Sequence, residues 1–529
     1  MSEVGFEARV AQLRQFYESG TTRPLGWRTE SLLAIKARVE SCKREIIEGY
    51  KKDLGRCVRQ SIYDYAPMCN RIDVLVRNIA AYAAVRKSGT SYQEVRYEPK
   101  GVVLCVGPWN YPLTECVKMV CAAIVAGNCA VLKPSEKAPE MEKVCVKLFA
   151  GLPGVEVFTG GVPQMQRILN DLQFDHIVFV GSPAVGKMVA KAAAERLTPV
   201  TLELGGKNPA IFDSTLLTPA SGGTLSKKKR NLIRRLLFIK HLNAGQVCTA
   251  VDYIICKEKD ADLLATTLAE VWDEMCTSAS GGEAALSATV VKSGAAYANS
   301  KDSIEKEAGS PDLARLLDKA SFDRVCSLLR DTHGGKVIRG GLPTDFPVNQ
   351  SGGRIDNERF VPLTIVKNPA LTSKLMQEEV FGPVVSVLTV SEDNDKAFLQ
   401  RAAAIVNAPE RRNPLVLHVF SMDSSFCESA LTQIPSGDAT FCASAVYGPE
   451  SPQGGIGRSG HGNISGESGF RELSHTRTVI NHLSCTDQDD PLIFPPYDTS
   501  VDDALEIIAK GYFLSGVWRI VQIKVLGWK

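Results

Sequence analysis

At 529 residues, 44% hydrophobic and 23% charged, the chain is long enough for two or three domains and has the composition of an ordinary globular protein. Its 61 basic and 59 acidic side chains nearly cancel, which removes the electrostatic basis for binding nucleic acid. The stretch MSEVGFEARV carries acids and no apolar run, so no secretory signal is expected there. The 15 cysteines show no zinc-binding spacing and are expected to be mostly reduced thiols of an intracellular protein.

In chain order, FEARVAQLRQFYESG and ESLLAIKARVESCKREIIEGYKKDL space their apolar residues three to four apart, predicting helices across residues 1–85. GVVLCV (101–106) predicts a buried strand ended by Gly107-Pro108. The most apolar internal run, CVKMVCAAIVAGNCAVL (116–132), holds Lys118, Asn128 and a glycine break. It predicts a buried helix and strand, not a membrane span. CAVLKPSE (129–136) turns at Pro134, and HIVFVGSPAVG (176–186) ends in a glycine loop before the helix KMVAKAAAERL. Short β-branched strands alternating with helices predict an α/β fold with a doubly wound parallel sheet. Loops at the carboxyl ends of such strands are where nucleotides bind. Two segments predict exposed inserted loops: 214–231, small and polar and then basic, and 277–312, rich in Ser, Ala and Gly. The basic run 227–230 reads as a solvated surface before it reads as a localisation signal.

Several short stretches carry residues suited to chemistry. In GPWNYP (107–112), Asn110 is either a turn-former or a fixed N–H donor for an oxyanion. Lys133 and Glu136, just past a strand end, suit ribose hydroxyls and phosphate. Gly181, Ser182 and Gly186 open a helix whose backbone N–H groups suit a pyrophosphate, although a glycine pair alone more often marks a plain turn. Glu203 in LELGGKNP (202–209) is an edge residue, or a general base if an apolar pocket raises its pKa. Cys248 lies in NAGQVCTAVD (243–252), and Glu379 and Phe381 lie in EEVFGP (378–383).

Singly these decide nothing; in this order the set GPWNYP, LKPSE, FVGSPAVG, LELGGKNP, NAGQVC and EEVFGP resembles the aldehyde dehydrogenase superfamily, from about residue 7 to about residue 482. SGTTRPL (19–25), LTPVTLELGGKNP (197–209), DYIIC, FRELSHTR (470–477) and FPPYD (494–498) resemble its class 3 and fatty aldehyde branch. The resemblance implies Cys248 as nucleophile and Asn110 with the Cys248 backbone N–H as oxyanion donors. It implies Glu203 as the base that hydrolyses a thioester. It further implies Lys133 and Glu136 on the cofactor ribose, Gly181, Ser182 and Gly186 on the pyrophosphate, and Glu379 and Phe381 near the nicotinamide ribose. Glu379 is the alternative base.

The expected activity is therefore NAD-dependent oxidation, with NADP as an alternative cofactor, of a hydrophobic aldehyde (medium- or long-chain, or aromatic) to its acid. A coenzyme A-acylating enzyme and a non-catalytic member of the superfamily are the alternatives. The implied architecture is a Rossmann-like cofactor domain (1–203) and a catalytic domain (204–425). A return segment (426–485) and a tail (486–529) complete the chain. The strand SYQEVRYEP (91–99) is expected to join part of the C-terminal segment in a small β oligomerisation element of a homodimer. Departures are Pro183, where the family has threonine, Gln453 in place of an aromatic, and CASAVYG (442–448) without the usual asparagine. The first should leave the cofactor loop intact, because an N–H at the first helical position is expendable; the other two bear on specificity. The apolar tail YFLSGVWRIVQIKVLGWK (512–529) is expected either to lie in a membrane interface through Trp518 and Trp528 or to dock as a helix.

Overall fold

The structure, a computed structural model, describes residues 5–87, 93–218, 225–277, 304, 307–308, 310, 312–342, 359–392, 394–444, 447–480, 502–510 and 513–524. The chain divides into two compact units. One comprises Met1–Ala84 with Tyr97–Thr476, the other Val85–Arg96 with Arg477–Lys529.

Helices Phe6–Glu18, Leu25–Ser41, Lys43–Leu54 and Val58–Tyr82 occupy the stretch where helical periodicity is legible. Strands β1 (Arg86–Lys87) and β2 (Gln93–Pro99) follow, and then the parallel strands β3 (Val102–Val106), β4 (Cys129–Lys133), β5 (Val155–Val157), β6 (His176–Gly181) and β7 (Val200–Leu204). Next come β8 (Pro209–Phe212), β9 (Tyr253–Lys257), β10 (Lys336–Arg339), β11 (Thr364–Lys367), β12 (Val384–Val390), β13 (Val416–Phe420) and β14 (Asp438–Phe441). Two-residue β15 (Gly460–His461) and β16 (Ser474–Ile480) complete the sheets.

A six-stranded sheet runs in the order β15-β7-β6-β3-β4-β5, parallel except for β15. Alternate residues of β3 leave on opposite faces. Val103 and Cys105 pack with the helix Pro112–Val125, while Val102, Leu104 and Val106 pack with Val189 and Ala193 of the helix Pro183–Ala194. Two buried faces explain why these strands read as unbroken apolar runs. Each large aliphatic side chain buried there contributes roughly 1.5–3 kcal/mol. Since β4 lies on one side of β3 and β6 on the other, their carboxyl ends diverge into a crevice, the topological switch point where doubly wound sheets bind ligands.

The second sheet has seven strands in the order β10-β11-β12-β9-β8-β13-β14, parallel but for β10. Ile254 and Cys256 of β9 face one core, Tyr253 and Ile255 another. The third sheet, β1-β2-β16, has three strands and contains the strand expected at 91–99.

Two expectations change. Segment 214–231 departs from an exposed loop at its ends, while residues 219–224 lie outside the described residues: Leu216 and Leu217 are buried, and the basic run opens the helix Lys227–His241, capped by Ser226. An apolar face on that helix (Leu232, Ile233, Leu236, Leu237) draws the basic residues into regular structure. In 277–312, Ile304, Glu307 and Ala308 are buried, with Glu307 ion-paired to Arg339 at 2.8 Å; residues 278–303 lie outside the described set. In the tail, helices Asp502–Ala509 and Phe513–Lys524 are described, and Trp518 is exposed; Trp528 lies outside the described residues. Among the described residues no helix is long and apolar enough to cross a membrane.

Candidate active site

Cys248 sits half-buried on a loop that leaves the helix Lys227–His241 through three consecutive left-handed residues, Asn243 (φ 50°), Ala244 (φ 52°) and Gly245 (φ 74°). Two non-glycine residues in this region are costly, so the surroundings must hold them there. The Asn208 amide donates to the carbonyl of Cys248 itself, at 2.7 Å, and to that of Ala250 at 3.1 Å. Gln246 donates to the Asn243 carbonyl (2.8 Å) and the Arg315 carbonyl (2.9 Å), and accepts from the Leu317 N–H at 2.8 Å. Behind the loop, buried Asp252 pairs with Lys240 (3.1 Å) and Lys207 (3.3 Å) and accepts the Val380 N–H at 2.9 Å. LELGGKNP, NAGQVC and EEVFGP are thus tied together through the carbonyl of Cys248 and the carboxylate of Asp252.

GPWNYP reaches the same place from β3. The side-chain amide of Asn110 donates to the Gln246 carbonyl at 3.1 Å, two residues before Cys248. An amide nitrogen carries two N–H groups, so this bond fixes its plane and leaves one donor for an incoming oxygen. Trp109 meets Phe381 edge to face, with centroids 5.3 Å apart.

The charges of two carboxyls, buried Glu203 and half-buried Glu379, act on the cysteine. Glu203, on β7, is 8% exposed, and its Oε1 has no hydrogen-bond partner among the described residues. Burial raises its pKa well above the usual carboxylate range, opposed by the charge of Lys118. Burial likewise pushes Glu379 up to about 8. Its carboxyl lies against the backbone of Gly205, where a Cβ would come within 2.3 Å of Oε2. The Cys248 thiol is pushed up to about 12, by burial first and then by the charges of Glu115 and Glu379, with Lys118 opposing. Glu115 and Lys118 form an ion pair of 2.7 Å on the helix Pro112–Val125, and Lys118 also donates to Gln453 Oε1 at 3.2 Å.

Deprotonation is needed before the thiol attacks or either carboxyl acts as a base, and all three groups are shifted upward. Any turnover through them is favoured by rising pH. We expect kcat/KM to climb with pH and to show no plateau by about pH 9, by up to about tenfold per unit while one group limits, because the Cys248 thiol is pushed up to about 12. A pH profile already flat below about pH 7 would contradict these shifts.

The crevice beside β3 is bordered by residues that could hold a dinucleotide. Lys133, 3% exposed at the end of β4, bonds Glu136 at 3.1 Å and the Pro134 carbonyl. Ser182 caps the helix Pro183–Ala194, accepting from the Val185 N–H, and its first turn is open to solvent at Ala184 and Val185. Pro183 occupies the first helical position, where no intrahelical donor is lost, so its presence leaves the turn regular. A Cβ on Gly186 would meet Leu204 Cδ2 at 2.7 Å, so glycine there permits the helix to lie against β7. An open helix N-terminus at a switch point fits a pyrophosphate, and a buried lysine at the end of β4 suits a ribose. Among the described residues no cluster of His, Cys, Asp or Glu could hold a metal ion.

No expectation covered the support behind the loop: Lys207, Asn208, Lys240 and Asp252, with Arg56, which donates to Asn243 Oδ1 at 3.0 Å and pairs with Asp64 at 3.3 Å. Lys207 and Asn208 fall inside a quoted motif and were legible in principle. Arg56 and Asp64 lie far away in the chain, with no local signal.

A doubly wound sheet with a loop-borne cysteine and two carboxyls near its carboxyl ends is a framework suited to a nucleotide-using enzyme. The Aldehyde dehydrogenase family model matches residues 6–479. Aldehyde dehydrogenase family 3 member B2 of Mus musculus is 31% identical, over 93% of this chain and 92% of its own. The dimeric NADP-preferring aldehyde dehydrogenase of Canis lupus familiaris is 30% identical over 94% and 98%. Among solved structures, the substrate-bound state of Staphylococcus aureus AldH superposes with a TM-score of 0.77 at 26% identity, covering 95% of this chain and 98% of that one. The chain belongs to the aldehyde dehydrogenase family, oxidoreductases acting on aldehydes, and its curated relatives include family 3 members.

Proposed function

We propose that the protein oxidises an aldehyde to its carboxylic acid through a covalent intermediate on Cys248. The observation that carries this reading is the placement of the Asn110 amide and the Cys248 loop in one hydrogen-bonded unit, with the charge of Glu203, whose Oε1 has no partner among the described residues, acting on the cysteine. The Cys248 thiolate attacks the carbonyl, and the developing oxyanion is held by the Asn110 amide and the Cys248 backbone N–H. When bound, NAD or NADP supplies the hydride acceptor. Lys133 and Glu136 would hold its ribose, the turn Gly181–Ser182 with Gly186 its pyrophosphate, and Glu379 and Phe381 would pack near the nicotinamide ribose. Glu203 removes a proton from the water that hydrolyses the resulting thioester.

A hydrophobic aldehyde, medium- or long-chain or aromatic, is the substrate class that the resemblance to the class 3 and fatty aldehyde branch implies. A second reading is favoured by the Lys118–Glu115 pair and Gln453, which bring a donor and an acceptor close to the nucleophile. On that reading the aldehyde carries a hydrogen-bonding group near its carbonyl. The test is reduced-cofactor formation with NAD and NADP separately, across straight-chain, aromatic and hydroxylated aldehydes. Turnover without coenzyme A is expected. Activity that requires coenzyme A would make the enzyme acylating, and silence with and without it would make the chain non-catalytic.

Homodimerisation, through the sheet β1-β2-β16, follows the dimeric relative. For localisation we propose the cell interior, with the helix Phe513–Lys524 placing Trp518 at a membrane interface. Full-length protein should then float with lipid vesicles and a truncation after Asp498 should not; equal behaviour of the two would remove the anchor.

A further inference from the structure

The loop of Asn110 and the loop of Cys248 meet at a side chain that belongs to neither. Arg56 follows the helix Lys43–Leu54 through Gly55, whose φ of 65° turns the chain inward, and its side chain is 1% exposed. Its guanidinium lies between the rings of Tyr50 (4.4 Å) and Tyr111 (4.3 Å). Nε donates to Asn243 Oδ1 at 3.0 Å, one terminal nitrogen donates to the backbone carbonyl of Asn110, and the other pairs with buried Asp64 at 3.3 Å. The Asn243 amide donates in turn to the Asn110 carbonyl and to the Gln246 carbonyl, each at 3.2 Å. The latter carbonyl is the one on which the Asn110 side chain rests. Tyr50 completes the frame, donating to Asp64 and accepting the Leu113 N–H at 3.2 Å, at the start of the helix that follows Asn110.

Stability alone explains this poorly. A buried ion pair is often no better than well-packed apolar residues of the same volume, because both charges lose their hydration. What the planar fork provides is direction: three bonds in one plane, to two loops and one anchor, which a lysine ammonium cannot reproduce.

We propose that Arg56 is a positioning residue that sets the Asn110 amide against Cys248, and so the strength of the oxyanion site. The inference rests on the proposed role of Asn110. Arg56 touches the Asn110 carbonyl and the Asn243 side chain, and acts on the reaction only through them. A misplacement of about 1 Å in such a site costs on the order of a hundredfold in rate.

A double-mutant cycle tests this, with Arg56→Lys and Asn110→Ala made singly and together and kcat, KM and cofactor binding measured for each. Arg56→Lys should lower kcat about 30- to 100-fold, with KM and cofactor affinity within about threefold of the parent. In the Asn110→Ala background the same change should cost less than about threefold, because the group it positions is gone. Equal losses in both backgrounds would overturn the proposal and leave Arg56 a structural residue. A change confined to KM would overturn it as well. Asn110→Ala without effect on kcat would instead overturn the oxyanion role, and the proposal with it. Should Arg56→Lys fail to fold, Asp64→Asn, which removes the anchoring charge and keeps a hydrogen-bonding side chain, is taken through the same cycle and read by the same criteria.

Discussion

Cys248→Ser should lower aldehyde-dependent cofactor reduction by at least about a thousandfold while leaving cofactor binding nearly unchanged. The substitution exchanges sulfur for oxygen in a half-buried side chain, whose loop is fixed by bonds to backbone carbonyls and not to the thiol. The fold should therefore tolerate it, with a stability change of about 1 kcal/mol or less. The chemistry should not. An alkoxide is far more basic than a thiolate, and among the described residues no hydrogen bond to a neighbouring base prepares one at this position. Several other cysteines offer no substitute: Cys105, Cys116, Cys121 and Cys129 are fully or almost fully buried within the first sheet and its helix. Retention of more than about a tenth of the activity would move the nucleophile elsewhere, since loss of a nucleophile typically costs several orders of magnitude.

Glu203→Gln separates the two halves of the reaction. The variant should still transfer hydride, giving a burst of reduced cofactor equal to the number of sites, and then turn over about a hundredfold more slowly than the parent. The swap keeps volume and removes a carboxyl whose pKa burial has already raised, so acylation should feel it little. At higher pH hydroxide partly replaces the missing base, and the slow phase should accelerate. Normal turnover would transfer the role of base to Glu379. That carboxyl is also shifted upward by burial, and its charge bears on Cys248 more strongly than that of Glu203 does.

Much of the fold was legible because two-faced burial writes itself plainly into sequence. VVLCV and CAVLK are buried at every position, and their strands stand where the apolar runs predicted. The helices before them follow their apolar spacing. Segment 214–231 misled because small polar residues and a basic run resemble a loop, whereas the apolar face that makes Lys227–His241 a helix begins only at Leu232. Within the site, the motifs identified the residues that carry polar atoms to one place, Asn110, Glu203, Cys248 and Glu379. They could not show what holds those residues. The Arg56–Asp64 pair and the Asp252–Lys207–Lys240 cluster are long-range arrangements, and no local pattern announces a contact between residue 56 and residue 243. Gln453 stood out as a departure from the family, but its meaning depends on Lys118, which the sequence offered only as a charge interrupting an apolar helix.

The most direct test of the account is to trap the intermediate. Glu203→Gln protein is mixed with cofactor and an aldehyde that the parent oxidises, quenched in acid within the burst, digested and weighed peptide by peptide. An acyl group on the peptide containing Cys248, in an amount equal to the burst of reduced cofactor, is the predicted result. An acyl group on a different peptide, or a full burst with no acylated peptide at all, would contradict covalent catalysis at Cys248.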